Sequence, residues 1–160
     1  MAILNGKNST KSVAFPIEKA DPSEVDSRVK CIHEKYDMAD LGAILANGDE
    51  ILGPKLPEGA KIVDATLKID RSLGGTGLLD FGLKEYTNKA KVVVPEDQNA
   101  LVNQANGAGQ AVLKRADVTS LVGIGQDIGL GGAQIFVKVT APSTVTDAVI
   151  EMFVFYMLES

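Results

Sequence analysis

Over residues 61–70 apolar and polar side chains alternate almost without a break. Val63, Ala65, Leu67 and Ile69 fall on one side, and Asp64, Thr66, Lys68 and Asp70 on the other. A period of two predicts a strand with one face on a core and one toward solvent, the habit of antiparallel sheet. The same alternation starts near Arg28, where Val29, Cys31 and His33 interleave with Lys30, Ile32 and Glu34. Further strands are predicted over 50–52, 77–83 and 91–94. Asn47-Gly48 marks a tight turn over 46–49, because both residues accept positive φ. Two strong strands close the chain. Residues 134–140 turn Ile135, Val137 and Val139 inward. Residues 148–158 are apolar on both faces and predict a central strand covered on both sides.

Helical signals are few. Over 96–104, Pro95 would stop a strand, Asp97 could cap, and Ala100, Leu101 and Gln104 suit a helix. A second short helix is predicted from Asp117, with Val118, Leu121 and Val122 on one face. The glycine-laden run 123–132 reads as a loop. Seven or so strands broken by glycine and proline turns, with one or two short helices, predict a mainly β chain: a single-domain antiparallel β-sandwich. A jelly-roll-like arrangement comes first and an immunoglobulin-like one second.

Residues 1–27 break the pattern. They are polar, mixed in charge, contain Pro16 and Pro22, and hold neither period. They are expected to form an extended N-terminal arm on a body of residues 28–160. Fully extended, such an arm reaches about 90 Å. Ile3, Leu4, Val13, Phe15 and Ile17 are isolated apolar residues on this polar tether. They are its candidate anchors on a partner or neighbouring subunit. The loops at Gly74-Gly75 and Gly131-Gly132 are secondary candidates for contacts between subunits.

Composition narrows the function. A net charge of −5 argues against gripping nucleic acid through its phosphates, which takes clustered Lys and Arg. With Trp absent and aromatics at 5%, a stacking platform for sugars or bases is disfavoured. The lone cysteine, Cys31, permits no internal disulfide and no cysteine zinc site, which fits assembly in a reducing cytoplasm. No signal-peptide pattern opens the sequence, and the apolar run near 150–158 is too short to span a bilayer. A soluble protein with no membrane partner is expected.

Candidate chemistry thins out on inspection. Cys31 and His33 share a strand face, but a Cys–His nucleophile also needs an oxyanion hole and an orienting carboxylate, and the pattern supplies neither. A packed cysteine beside a partly exposed histidine is expected instead. Gly123, Gly125, Gly129, Gly131 and Gly132 match neither a dinucleotide fingerprint nor a P-loop, and read as tight surface turns. The acidic residues, Asp49-Glu50 among them, are read as solvated turns, and the segment 84–91 as a mixed-charge loop. No catalytic, metal or cofactor residue is expected.

The segment Leu56-Pro-Glu-Gly-Ala-Lys-Ile-Val-Asp-Ala-Thr-Leu-Lys-Ile-Asp70, then a Gly/Thr turn and Gly77-Leu-Leu-Asp-Phe-Gly82, resembles small structural proteins encoded beside the capsid genes of tailed bacteriophages. The resemblance implies a non-enzymatic capsid decoration or cement protein that binds and stabilises the mature head. Its partners would be the major capsid protein and copies of itself, commonly as a homotrimer. It would be assembled in the host cytoplasm and sit on the outer surface of the virion. A head-fibre base or tail-associated adaptor is the alternative, and a glycan-binding module comes after it.

Overall fold

The computed structural model describes residues 3–5, 29–116 and 123–158, the first group as backbone. Eleven strands are defined there. They are β1 (Ile3–Asn5), β2 (Lys30–Asp37), β3 (Glu50–Leu56), β4 (Ala60–Ile69), β5 (Leu78–Leu83), β6 (Tyr86–Thr87), β7 (Val93–Val94), β8 (Asp97–Asn106), β9 (Val112–Arg115), β10 (Ala133–Ala141) and β11 (Val149–Leu158). The only helical element among the described residues is a 3-10 turn at Met38–Asp40.

The eight strands of four residues or more pair from the outside in. The first lies against the last (β2/β11), the second against the seventh (β3/β10), the third against the sixth (β4/β9) and the fourth against the fifth (β5/β8), all antiparallel. The chain is thus one long hairpin rolled over itself. Contacts β10/β5 and β11/β4 close the roll into two sheets, β1-β3-β10-β5-β8 and β2-β11-β4-β9. That is the jelly-roll arrangement, as the alternating pattern led us to expect.

The core lies between the sheets. Ile51, Leu79, Phe81, Val137 and Val139 face it from the first, and Ala65, Leu67, Ile69, Ile150, Met152 and Val154 from the second. Burying each large apolar side chain contributes roughly 1.5–3 kcal/mol. The strand pattern survives because a shift of one residue would turn the whole apolar row outward. On β4 it does shift once: a bulge beside Val63 leaves Ala60 and Ile62 inward before it, and Ala65, Leu67 and Ile69 after it. Val63, expected in the buried row, is therefore half-buried, and Ile62 takes its place.

Other expectations are corrected. Residues 96–104 are not a helix but most of β8. Asp97 does accept a backbone N–H two residues on, from Asn99, yet the chain then pairs with β5, because Ala100, Leu101, Val102 and Ala105 bury apolar surface there. Tertiary burial overrides a weak local propensity. The expected helix near Asp117 lies outside the described residues. On β2 the row turned to the core is Ile32, Glu34 and Tyr36, so Cys31 is exposed rather than packed. Strand β11 is central as expected, but it is not buried on both faces: Glu151, Phe153, Phe155 and Met157 form a half-exposed outer row. The segment 84–91 is not simply a loop, since it leads into the β6/β7 hairpin, where Tyr86 pairs with Val94.

The turn at 46–49 forms as read. Gly48 has φ +92°, Asp49 N–H donates to the Ala46 carbonyl, and the Asp49 carboxylate accepts from Ala46 N–H at 2.9 Å.

Candidate assembly surface

The feature that stands apart from core packing is the outer side of the first sheet, where β3, β10 and β5 run side by side. Lys138 on β10 is opposite Glu50 on β3 and Asp80 on β5, and Phe136 is opposite Leu52 and Gly82. These side chains point away from the core, yet Glu50 and Asp80 are each only 3% exposed and Phe136 is fully buried. From the sequence alone Glu50 is expected in a solvated turn. The structure buries it instead, in an ionic cluster.

Lys84 builds that cluster. Its ammonium donates to Glu50 at 2.6 Å and to Glu96 at 2.8 Å, and it lies 4.2 Å above the centre of the Phe136 ring. Lys138 approaches the other Glu50 oxygen at 3.5 Å. Burial works against the charge on Lys84, but the two carboxylates outweigh it and hold its pKa above the ordinary lysine value. Asp80 is satisfied separately, accepting from the Gln98 amide at 3.0 Å and from the Gln104 backbone N–H at 2.7 Å. Gly82 makes this covering possible. A Cβ there would stand 2.0 Å from the Asp97 carbonyl oxygen, so only glycine lets the start of β8 cross above β5.

The N-terminal strand β1 docks on the outer edge of β3 next to this cluster, in parallel register: Ile3 with Glu50, Leu4 with Ile51, and Asn5 with Leu52. Of the five candidate anchors, Ile3 and Leu4 lie in a strand against β3. Val13, Phe15 and Ile17 lie outside the described residues.

Large apolar side chains are exposed in several further places among the described residues, including Val29 just before β2 and Leu113 on β9. Val92 and Val93 stand on the β6/β7 hairpin, and Leu130, 77% exposed, lies in the neighbouring 123–132 loop. The hairpin and loop are held together by the Asn88–Ile128 bridge. Gly129 permits that approach, since a Cβ would stand 2.3 Å from the Asn88 carbonyl oxygen. The glycines in this loop thus serve close backbone contact as well as turns. Leu41 and Ile44 are exposed after the 3-10 turn. At Gly74, a Cβ would meet Thr144 Oγ1 at 2.1 Å, so that turn packs on its own chain.

The outer face of the second sheet offers no comparable cluster. His33 stacks on Phe153, with ring centres 4.4 Å apart, and its Nε2 meets Glu151 at 3.2 Å. Cys31 Sγ donates to the Ile32 carbonyl, and burial pushes its thiol pKa up, which is the wrong direction for a nucleophile. Among the described residues no group of three or more His, Cys, Asp or Glu side chains could hold a metal ion, and no helix is long and apolar enough to cross a membrane.

The fold has relatives among solved structures. With 22% sequence identity and a TM-score of 0.69, the chain is similar to one in the capsid of Ralstonia phage GP4, over 99% of this chain and 99% of that one. At 16% identity and a TM-score of 0.57 it is similar to a chain in the capsid asymmetric unit of cyanophage Pam1, over 91% of this chain and 96% of that one. At these identities the likeness is one of fold. No protein-family model and no curated protein matches the chain.

Proposed function

We propose that this chain is a structural component of a phage virion, and specifically a decoration or cement protein on the outer surface of the head. The observation that carries the reading is the match in fold to a chain of the GP4 capsid, over 99% of this chain and 99% of that one. The jelly roll and the acidic balance support it. They fit a protein that works by contact rather than by chemistry.

In this reading a homotrimer sits where several major capsid subunits meet. The arm of residues 1–27 runs out from the body of residues 28–160. Ile3, Leu4, Val13, Phe15 and Ile17 anchor it, while the exposed residues at 92–93, 130 and 41–44 meet neighbouring surfaces. Whatever binds the mature shell better than its precursor stabilises it by mass action. Several weak contacts per trimer act together through their high effective concentration. No enzymatic step is involved.

The test is to add purified protein to heads that lack it, count copies per head, and follow head survival on heating. Hundreds of copies and a raised survival temperature are expected. A few copies confined to one vertex would replace this reading with a head-fibre base or tail adaptor. No binding at all would overturn both.

A further inference from the structure

The outer edge of β3 is a slot of defined length. The strand runs from Glu50 to Leu56, but β1 covers only Glu50, Ile51 and Leu52. Just beyond, Pro54 has no N–H to offer, and Lys55 places an exposed charge on the edge. Proline within a sheet is confined to edges, and proline and lysine are the usual guards against unwanted strand pairing. The open part of this edge is therefore cut to fit a three-residue strand.

The strand that fills it is unlike the rest of the molecule. It is the sole parallel ladder among the named strands, and it is supplied from the far end of a tether. Between Asn5 and Lys30 lie 24 residues. Extended, they span about 80 Å, more than twice the roughly 35 Å width of a body this size. Strand β2, where the tether ends, already lies near β3 within the same chain, so filling the chain's own slot uses a fraction of that reach. Closing a loop costs little more as it lengthens, so the tether barely distinguishes its own slot from one held nearby.

We propose that in the assembled shell residues 3–5 fill the β3 slot of a neighbouring copy of this chain. This rests on the assembly reading above and names the partner of the arm's first anchors. The rungs are the same as those within one chain, so exchange needs no new complementarity. A lattice that fixes neighbours within reach turns each short strand into a link between copies.

The test uses full-length protein with Cys31→Ser, so that no native thiol competes. One batch carries Asn5→Cys and the other Leu52→Cys, positions that face each other in the ladder. The two are mixed, bound to heads, and treated with a short bis-maleimide. A link can then form only between chains. Up to about half of the bound protein should run at twice the chain mass, the share in which an Asn5→Cys strand meets a Leu52→Cys slot in an equal mixture, and the Asn5→Cys, Leu52→Cys double variant should give closed multimers. If the mixture gives no dimer while the double variant links within one chain and both coat heads normally, exchange is overturned and the decoration role stands. If neither variant nor the unaltered protein binds heads, the assembly reading falls and this inference with it.

Discussion

The two sheets share one core but differ on their outer faces. Behind the first sheet, Glu50, Asp80 and Phe136 are buried, with Lys84, Lys138 and Gln98 supplying their partners. Behind the second, Arg115 pairs with Asp64, Lys68 with Glu151, and His33 with Glu151 and Phe153, all at least partly in solvent. The first outer face is built like an interior and the second like a surface. A change behind the first sheet should therefore cost stability, and a change behind the second should cost little. The first sheet is also where β1 docks, on the edge of β3 beside the ionic cluster.

The largest effect expected is the one that removes the distinction. Val137 in the first sheet and Val154 in the second both face the shared core and are fully buried. Replacing either with Asp places an unpaired charge there, at a cost of about 3–5 kcal/mol. Both variants should be unfolded or insoluble by circular dichroism and gel filtration. A folded Val154→Asp protein would show that the faces of β11 are assigned the wrong way round.

The distinction itself is measured by a pair of lysines. Lys84→Met leaves Glu50 with only Lys138 at 3.5 Å and removes the cation above Phe136. Because Lys84 is partly solvated, the loss is expected at about 2 kcal/mol, below that of a fully buried pair. Lys68→Met breaks an exposed pair and should cost roughly 0–1 kcal/mol. Urea unfolding of the two variants checks the difference. Equal losses would mean that the outer faces are energetically alike.

Strand alternation, turn chemistry and the apolar closing strand made the sandwich legible in the sequence, because each is a local consequence of a half-buried strand. What failed was non-local. The segment 96–104 has a helical start signal, and its strand state depends on β5 waiting beside it. Asn99, Asn103 and Asn106, all poor helix formers, were the available warning. Pro54 likewise announces an edge strand. The ionic cluster was invisible because Glu50, Lys84, Glu96 and Lys138 are far apart in the chain, and nothing short of the fold brings them together. The Val63 bulge flips the phase of an otherwise regular pattern, which periodicity alone cannot foresee.

Alkaline pH sharpens the comparison by a smaller step. Lys84 is held above its ordinary pKa despite its burial, through hydrogen bonds to Glu50 and Glu96. Burial raises Tyr36, Tyr86 and Tyr156, with Asp49, Asp127 and Cys31 adding to each in turn. In all four the folded pKa exceeds the unfolded one. The folded state then holds more protons, and the stability these groups contribute is complete below the unfolded values, about 10–10.4, and lost as pH rises through the folded ones. In the Cys31→Ser background, which removes a thiol whose raised pKa would act from about pH 8.5, the urea midpoint should hold level from about pH 8 to about pH 9.5 and then fall. Lys84→Met should fall less steeply. A midpoint that rises over this range would reverse the sign and remove the support for these shifts.

The smallest effect belongs to the second sheet's outer face. Cys31 is exposed on β2, where its side chain makes only a weak sulfur contact to the Ile32 carbonyl. Cys31→Ser should leave the unfolding midpoint within about 0.5 kcal/mol of the parent, the range of surface substitutions. The native thiol should react completely with a disulfide reagent without unfolding. It should do so more slowly than a free cysteine at neutral pH, because its raised pKa leaves less thiolate. Reaction only in denaturant would turn Cys31 inward and put Ile32, Glu34 and Tyr36 on the surface. Every pairing of β2 with β11 would then be out of register by one residue, and the contrast between the two outer faces would fail with it.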